Sequence, residues 1–238
     1  MAFKEFQIED LGTVTVYKRR GTRSLRLSIR ADGSLRVTIP SWTPYATGVR
    51  FAKSRENWIK KHAKPAAQLL ENGQLIGKAH RLKFVTSATA SRVSTRVGQM
   101  QIVITHPETM TSADKNVQAA TTKAAVRALR VQAEKLLPIR LSELAKQHGF
   151  SYRSSEVKQL KTRWGSCDQA KNITLNLFLL QLPWQLIDYV LLHELTHTEV
   201  LHHGPKFWQA MELIEPKTPE LRKAIRAYQP TLRLQAQN

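Results

Sequence analysis

The segment that most restricts the fold is LLHELTHTEVLHHGPKFW, residues 191–208. Four of the chain's eight histidines fall between His193 and His203, and Glu194 directly follows the first. Residues 193–197 fit the pattern H-E-x-x-H. At 3.6 residues per turn, positions four apart share a helix face, so both imidazoles reach one ion only if this stretch is helical. The preceding residues agree. From Pro183 the run PWQLIDYVLLHELTHTEVLH is helix-compatible, with an apolar face through Leu186, Ile187, Val190, Leu191 and Leu195. Gly204-Pro205 then interrupts the helix, and KFWQAMELI starts another.

Zinc accepts neutral imidazole nitrogen at about 2.0–2.1 Å, and a catalytic zinc site uses three protein ligands plus water. Glu194, beside the first ligand, can lean over that water, take its proton and pass it to a leaving group. Three candidates stand near for the third ligand: Glu199, His202 and His203. On a continued helix His202 would lie about 180° from His193, and His203 about 80° off. A helix that ends before Gly204-Pro205 lets the chain turn back, which makes His203 the choice. Its ten-residue step from His193 equals the outer spacing of the metzincin pattern H-E-x-x-H-x-x-G-x-x-H. Val200 stands where that pattern has its glycine, so the chain is not a metzincin. A structural zinc site would close its fourth position, for which Cys167 is the one cysteine.

The rest of the chain sets the context. A length of 238 residues suits two domains, and 42% hydrophobic with 23% charged residues is ordinary for a chain with a real core. The first thirty residues hold no signal-peptide run, and no stretch approaches the roughly 18 apolar residues of a membrane span. One cysteine forbids an internal disulfide, so a reducing compartment, the cytoplasm, is the expected address. The net charge of +19 is unevenly spread: 19 basic and 6 acidic residues fall in 1–105, against 18 and 12 in 106–238. Such asymmetry points to nucleic acid or nucleotides as partners; a solvated basic surface is the bland alternative.

In RSLRLSIRADGSLRVTIP, Leu25, Leu27 and Ile29 alternate with Arg26, Ser28 and Arg30. After Asp32-Gly33, Leu35, Val37 and Ile39 alternate with Arg36 and Thr38. This period-two pattern around an Asp-Gly turn predicts a hairpin with an apolar face and an arginine face carrying Arg26, Arg30 and Arg36. A helix is expected over Pro44–His62, then β segments in QLIGKAHRLKFV and MQIVITH. Pro107 and the polar run after it mark the expected boundary between domains 1–107 and 108–238. A long helix over Ala113–Gln147 follows, with Pro138 as a kink or break and Gly149 as its end. SEVKQLKTRWGSC and NITLNLFLL read as strands.

RWGSC at 163–167, ITLNLFLL at 173–180, IDYVLLHELTH at 187–197 and HHGPKFW at 202–208 together resemble the YgjP-like metallopeptidase family, related to SprT-like zinc proteases. The basic hairpin and the helix with ENWIKKH look like this family too. The resemblance implies an α+β fold, with a β-rich N-terminal region followed by a small zincin-like domain that holds a single Zn2+ on an H-E-x-x-H helix. It implies His193, His197 and His203 as ligands and Glu194 as catalytic base and acid. The H-G-P-x-F form around His203, shared with SprT-like proteins, favours it over His202.

The leading expectation is a zinc metallopeptidase in which zinc-bound water attacks a carbonyl of a protein or peptide substrate. Two alternatives remain: a metal-dependent nucleoside triphosphate pyrophosphohydrolase, and a nucleic-acid-associated protease of SprT-like type. Arg163 is a candidate for binding a carboxylate or phosphate, or for stabilising an oxyanion. Otherwise Trp164 packs in the core and Gly165 makes a turn. No sequence argument supplies a base that would activate Cys167.

Overall fold

Alternating apolar residues build the first sheet. The computed structural model describes residues 2–29, 34–62 and 69–232, and the chain divides into two units, Met1–Gln68 and Leu69–Asn238. The first unit holds β1 (Phe3–Ile8), β2 (Gly12–Arg19), β3 (Arg26–Ile29) and β4 (Leu35–Pro40) in the order β1-β2-β4-β3. The register sets Val14 beside Leu35 and Val16 beside Val37, with Leu27 on the other side of Val37. These residues form one buried face, as a period of two requires. Two helices follow, α1 (Tyr45–Ser54) and α2 (Glu56–His62), where the sequence suggested one; the chain leaves helical geometry at Arg55. Gly48 lets α1 lie close on the sheet, because a Cβ there would come within 2.6 Å of Val16 Cγ1.

The predicted antiparallel pairing of β3 and β4 is present, with Arg26 opposite Thr38 and Ser28 opposite Arg36. Arg26 and Arg36 therefore share the face turned away from the apolar core. On that face the Arg36 guanidinium lies 4.2 Å over the Tyr17 ring, and Phe3 stacks on Tyr17 at 5.3 Å. Arg30 and the Asp32-Gly33 turn lie outside the described residues.

The second unit opens with β5 (Leu75–Ile76), β6 (His80–Ser87), β7 (Ser94–Val97) and β8 (Gln101–Pro107), in the order β5-β6-β8-β7. Next comes α3 (Lys115–His148). Ile76, Leu82, Ile102 and Ile104 share a core with Ala124, Ala128 and Leu129 of α3. The boundary expected at 107/108 is thereby displaced: the units part after Gln68. Pro107 ends a strand without separating two cores, because the sheet before it packs on the helix after it. α3 also runs through Pro138, where a kink or break was expected, without ending there, and it ends where expected, at Gly149 in the left-handed conformation (φ 76°).

The remaining elements frame the site. β9 (Ser154–Lys158), β10 (Gly165–Cys167) and β11 (Asn172–Asn176) form a sheet ordered β10-β11-β9. A 3-10 turn, Leu177–Gln181, leads to α4 (Trp184–Thr196), α5 (Pro205–Ile214) and α6 (Thr218–Ile225). Arg140 of α3 grips Asp188 of α4 with both ends of its fork, at 2.8 Å each. The architecture is α+β, as expected. Among the described residues no helix is long and apolar enough to cross a membrane.

Candidate metal centre

α4 carries His193 and Glu194 in its last turn and stops at Thr196, with His197 as its C-terminal cap. Helical bonding gives way there to local contacts. Thr198 Oγ1 donates to the Leu195 carbonyl at 2.7 Å. His197 Nδ1 lies 3.0 Å from the Val200 carbonyl; a carbonyl only accepts, so Nδ1 carries the proton and Nε2 keeps its lone pair. Gly204 caps α5 in extended geometry and Pro205 occupies its first turn. This turn brings His203 back beside the other two histidines.

The three Nε2 atoms lie 3.2 Å (His193 to His197), 3.0 Å (His197 to His203) and 2.9 Å (His193 to His203) apart. Ligands about 2.0–2.1 Å from one tetrahedral ion sit roughly 3.3–3.4 Å from each other, close to what is seen. Hydrogen bonds among the rings are a poor alternative, because each neutral imidazole offers one proton and that of His197 is already committed to Val200. The three side chains fit one shared cation, and they are the group of metal-capable side chains found among the described residues. His202 and Glu199 are exposed and stand outside it.

Phe207, fully buried, packs under all three imidazoles at 4.5–4.8 Å between ring centroids. Trp208 stacks on His203 at 5.6 Å and donates its Nε1 proton to the His203 carbonyl at 3.1 Å. This apolar setting fixes the protonation states. Burial, with His197, His203 and Arg222 adding to it, pushes His193 down to about 3. Burial also holds His197 and His203 below the usual histidine value. All three are neutral near pH 7, the form that binds metal.

Glu194 is 5% exposed. Burial pushes its carboxyl up to about 8, opposed by the charge of Arg163. It lies against the backbone of β10: a Cβ on Gly165 would fall 2.7 Å from Glu194 Oε1 and 2.8 Å from its Cγ. Gly165 is thus a strand residue rather than the expected turn, and only a hydrogen fits there. Trp164 packs on the core and also lines the cavity, together with Arg163. Cys167 is pushed up to about 11, by burial first and then by Glu194 and Asp168. Its thiol stays protonated and is no nucleophile at neutral pH.

Two features escaped the sequence reading. Asn176, fully buried, donates from Nδ2 to the carbonyls of Leu160 (2.9 Å) and Arg163 (2.8 Å). Its Oδ1 accepts from Phe178 N, and its backbone N–H bonds the Trp164 carbonyl. It pins the loop that delivers Arg163. The one signal was a polar residue inside the apolar run ITLNLFLL. The second feature is Arg222 and Arg226, at the C-terminal end of α6, which line the same cavity of about 540 Å³ as the three histidines.

The pattern of the YgjP-like, metallopeptidase domain matches residues 23–228. The chain belongs to this family. It is a metallopeptidase-like hydrolase, and family membership implies a divalent metal and a protein or peptide substrate. The chain is also similar to two solved structures, both metallopeptidase zymogens. Abylysin of Pyrococcus abyssi is 23% identical, over 39% of this chain and 93% of that one, with a TM-score of 0.35. Jannalysin of Methanocaldococcus jannaschii is 22% identical, over 39% and 96%, also at 0.35. Among curated proteins there is no significant match.

Proposed function

We propose that this member of the family is a zinc peptidase whose ligands are His193, His197 and His203 and whose general base and acid is Glu194. The observation that carries the reading is the convergence of three neutral imidazole nitrogens within 3.2 Å, with a buried carboxylate on the next residue. Zinc, when bound, supplies a Lewis acid that polarises a carbonyl and acidifies water. Glu194 takes a proton from the attacking water and returns it to the leaving amine. A carboxyl raised by burial is close in proton affinity to neutral pH, which suits both transfers. Arg163 lines the same cavity, where its guanidinium would stabilise negative charge on the carbonyl oxygen. β10 is an edge strand of its sheet and lines the cavity, so an extended peptide can add to it through backbone hydrogen bonds.

Metal-loaded protein, tested in parallel on an unstructured protein, a nucleoside triphosphate and a DNA-bound protein, decides the substrate class. Turnover of the unstructured protein, lower by roughly 10²-fold or more in Glu194→Gln with metal retained, is the expected result. Phosphate release instead would select the pyrophosphohydrolase reading, and turnover confined to DNA-bound protein the SprT-like one.

We infer a second role for the first unit, binding of nucleic acid through its outer sheet face. Support comes from the cation–aromatic group of Arg36, Tyr17 and Phe3, with Arg26 beside it. Guanidiniums meet phosphates there, and the exposed Phe3 ring can stack on a base.

A further inference from the structure

The cavity that holds the three histidines is unbalanced in charge. Three guanidiniums line it, those of Arg163, Arg222 and Arg226, and its one lining carboxylate is Glu194. Glu194 is committed to proton transfer in the reading above, and a divalent cation would add further positive charge. Among the described residues neither Arg222 nor Arg226 makes an ion pair with a carboxylate. The described residues leave a counter-charge to be supplied, and a bound carboxylate would supply it.

Placement narrows what that is. Arg222 lies over the Trp208 ring, with its Cζ 3.8 Å from the ring centroid. Trp208 is itself fixed to the histidine cluster, by stacking on His203 and by the bond from its Nε1 to the His203 carbonyl. A guanidinium over a ring can still offer edge N–H groups, which match a carboxylate with two parallel bonds. Arg226 follows one helical turn later, so both charges leave α6 on one side. The charges of both reach Tyr189, whose ring is 6.2 Å from that of His193. Tyr189, Ile225 and Trp208 supply apolar walls, which strengthen a charge-assisted bond relative to open water.

We propose that Arg222 and Arg226 form a carboxylate-binding subsite, which selects peptides with an acidic side chain or a free C-terminal carboxylate close to the bond being cut. The proposal rests on the peptidase reading and adds the substrate class. It also predicts rejection of lysine and arginine near that bond, since like charges would meet in the cavity.

Binding is measured apart from turnover. The zinc-loaded Glu194→Gln protein is titrated by fluorescence anisotropy with labelled hexapeptides. The peptides carry Glu or Gln at each inner position, and each is made as free acid and as amide. A Glu peptide, or a free acid, should bind roughly 10-fold or more tighter than its Gln or amidated counterpart. The advantage should shrink as salt rises. It should collapse on adding Arg222→Gln and Arg226→Gln, and recover in part with Arg222→Lys and Arg226→Lys. Should the double glutamine variant fail to fold, Arg226→Gln alone carries the comparison. Equal binding across the peptides, no binding of any peptide, or a preference that survives loss of the arginines overturns the proposal. So does arginine-dependent binding of ATP with none of acidic peptides. Wild-type turnover separates the two claims. Arginine-dependent binding without cleavage rejects the peptidase reading and leaves the subsite, whereas cleavage with no acidic preference does the reverse.

Discussion

The two units bury polarity on different terms. Among the described residues the first seals eight apolar side chains and one polar one, Thr15. The second seals twelve polar or charged side chains, among them Glu194, His197 and Asn176. Size alone does not account for a ratio of twelve to one. A buried polar group is costly unless it is bonded, so each must be placed by something. Gln132 shows how: its amide meets the Ile76 carbonyl at 3.0 Å and His80 Nδ1 at 2.7 Å. The first unit keeps Arg26 and Arg36 on an outer sheet face, where they need no such support. The second fixes charge inside a cavity. Chemistry is to be sought where polar groups are held in place, and adhesion where they are merely displayed.

The largest expected effect tests the held groups. Replacing His193, His197 or His203 by Ala should weaken zinc binding by roughly 100-fold or more, while His202→Ala leaves it nearly intact. Metal content after dialysis and competition with a chelator give the values. A His202 variant that loses metal while the His203 variant keeps it would reverse the ligand assignment.

Asn176→Ala comes next. It strips bonds from two carbonyls and one amide around a buried side chain, a loss of about 2–4 kcal/mol. Denaturant unfolding should show that loss in the second unit. Thr15→Ala in the first should cost less than about 1 kcal/mol, because its single side-chain bond, to Glu5, is long at 3.4 Å. Equal losses would erase the contrast between the units.

The third prediction concerns pH and the metal-free protein. Glu194 rises from the usual 4.5 to about 8 on burial. A carboxyl raised in the folded state contributes stability below pH 4.5, and that contribution is lost as pH climbs towards 8. Glu194→Gln cannot ionise. Its unfolding free energy, read by denaturant titration, should therefore match wild type at pH 4.5 and exceed it increasingly up to pH 8, by an amount on the order of a few kcal/mol. Zinc should narrow the gap, because a nearby dication favours the carboxylate. A gap that is constant across the range would mean that Glu194 is solvated.

The smallest effect belongs to the displayed charges. Arg26→Ser with Arg36→Ser should flatten the salt dependence of DNA binding by about one to two in slope, with zinc content unchanged. Identical titrations for wild type and variant would leave that face as a solvated surface.

The sequence showed most where the signal was local. His203 could be chosen because Gly204-Pro205 announces the end of a helix, and the hairpin pairing followed from alternation around an Asp-Gly turn. The break at residue 107 was misread because a Pro-and-polar run reports a loop, not the limits of a core; that Ile102 and Ile104 share a core with Ala124, Ala128 and Leu129 of the following helix leaves no local trace. Gly165 and Asn176 were opaque for the same reason. What each does depends on a partner from another element, Glu194 for one and the loop before Trp164 for the other. No local signal singles out Arg222 and Arg226, because only the packing of α6 brings them to the cavity wall.

α3 has a consequence for how the second unit comes apart. Its 34 residues make a rod about 51 Å long, on which two layers rest. The β5–β8 sheet leans on Ala124, Ala128 and Leu129, and Arg140 clamps Asp188 of α4. Peeling off either layer would bare an apolar stripe on the rod while the other still needed it straight. Partial opening therefore gains little freedom for the surface it exposes. The slowest amides of β6 and of the histidine helix should report one common opening event, and a chelator that loosens one end should quicken hydrogen exchange at the other.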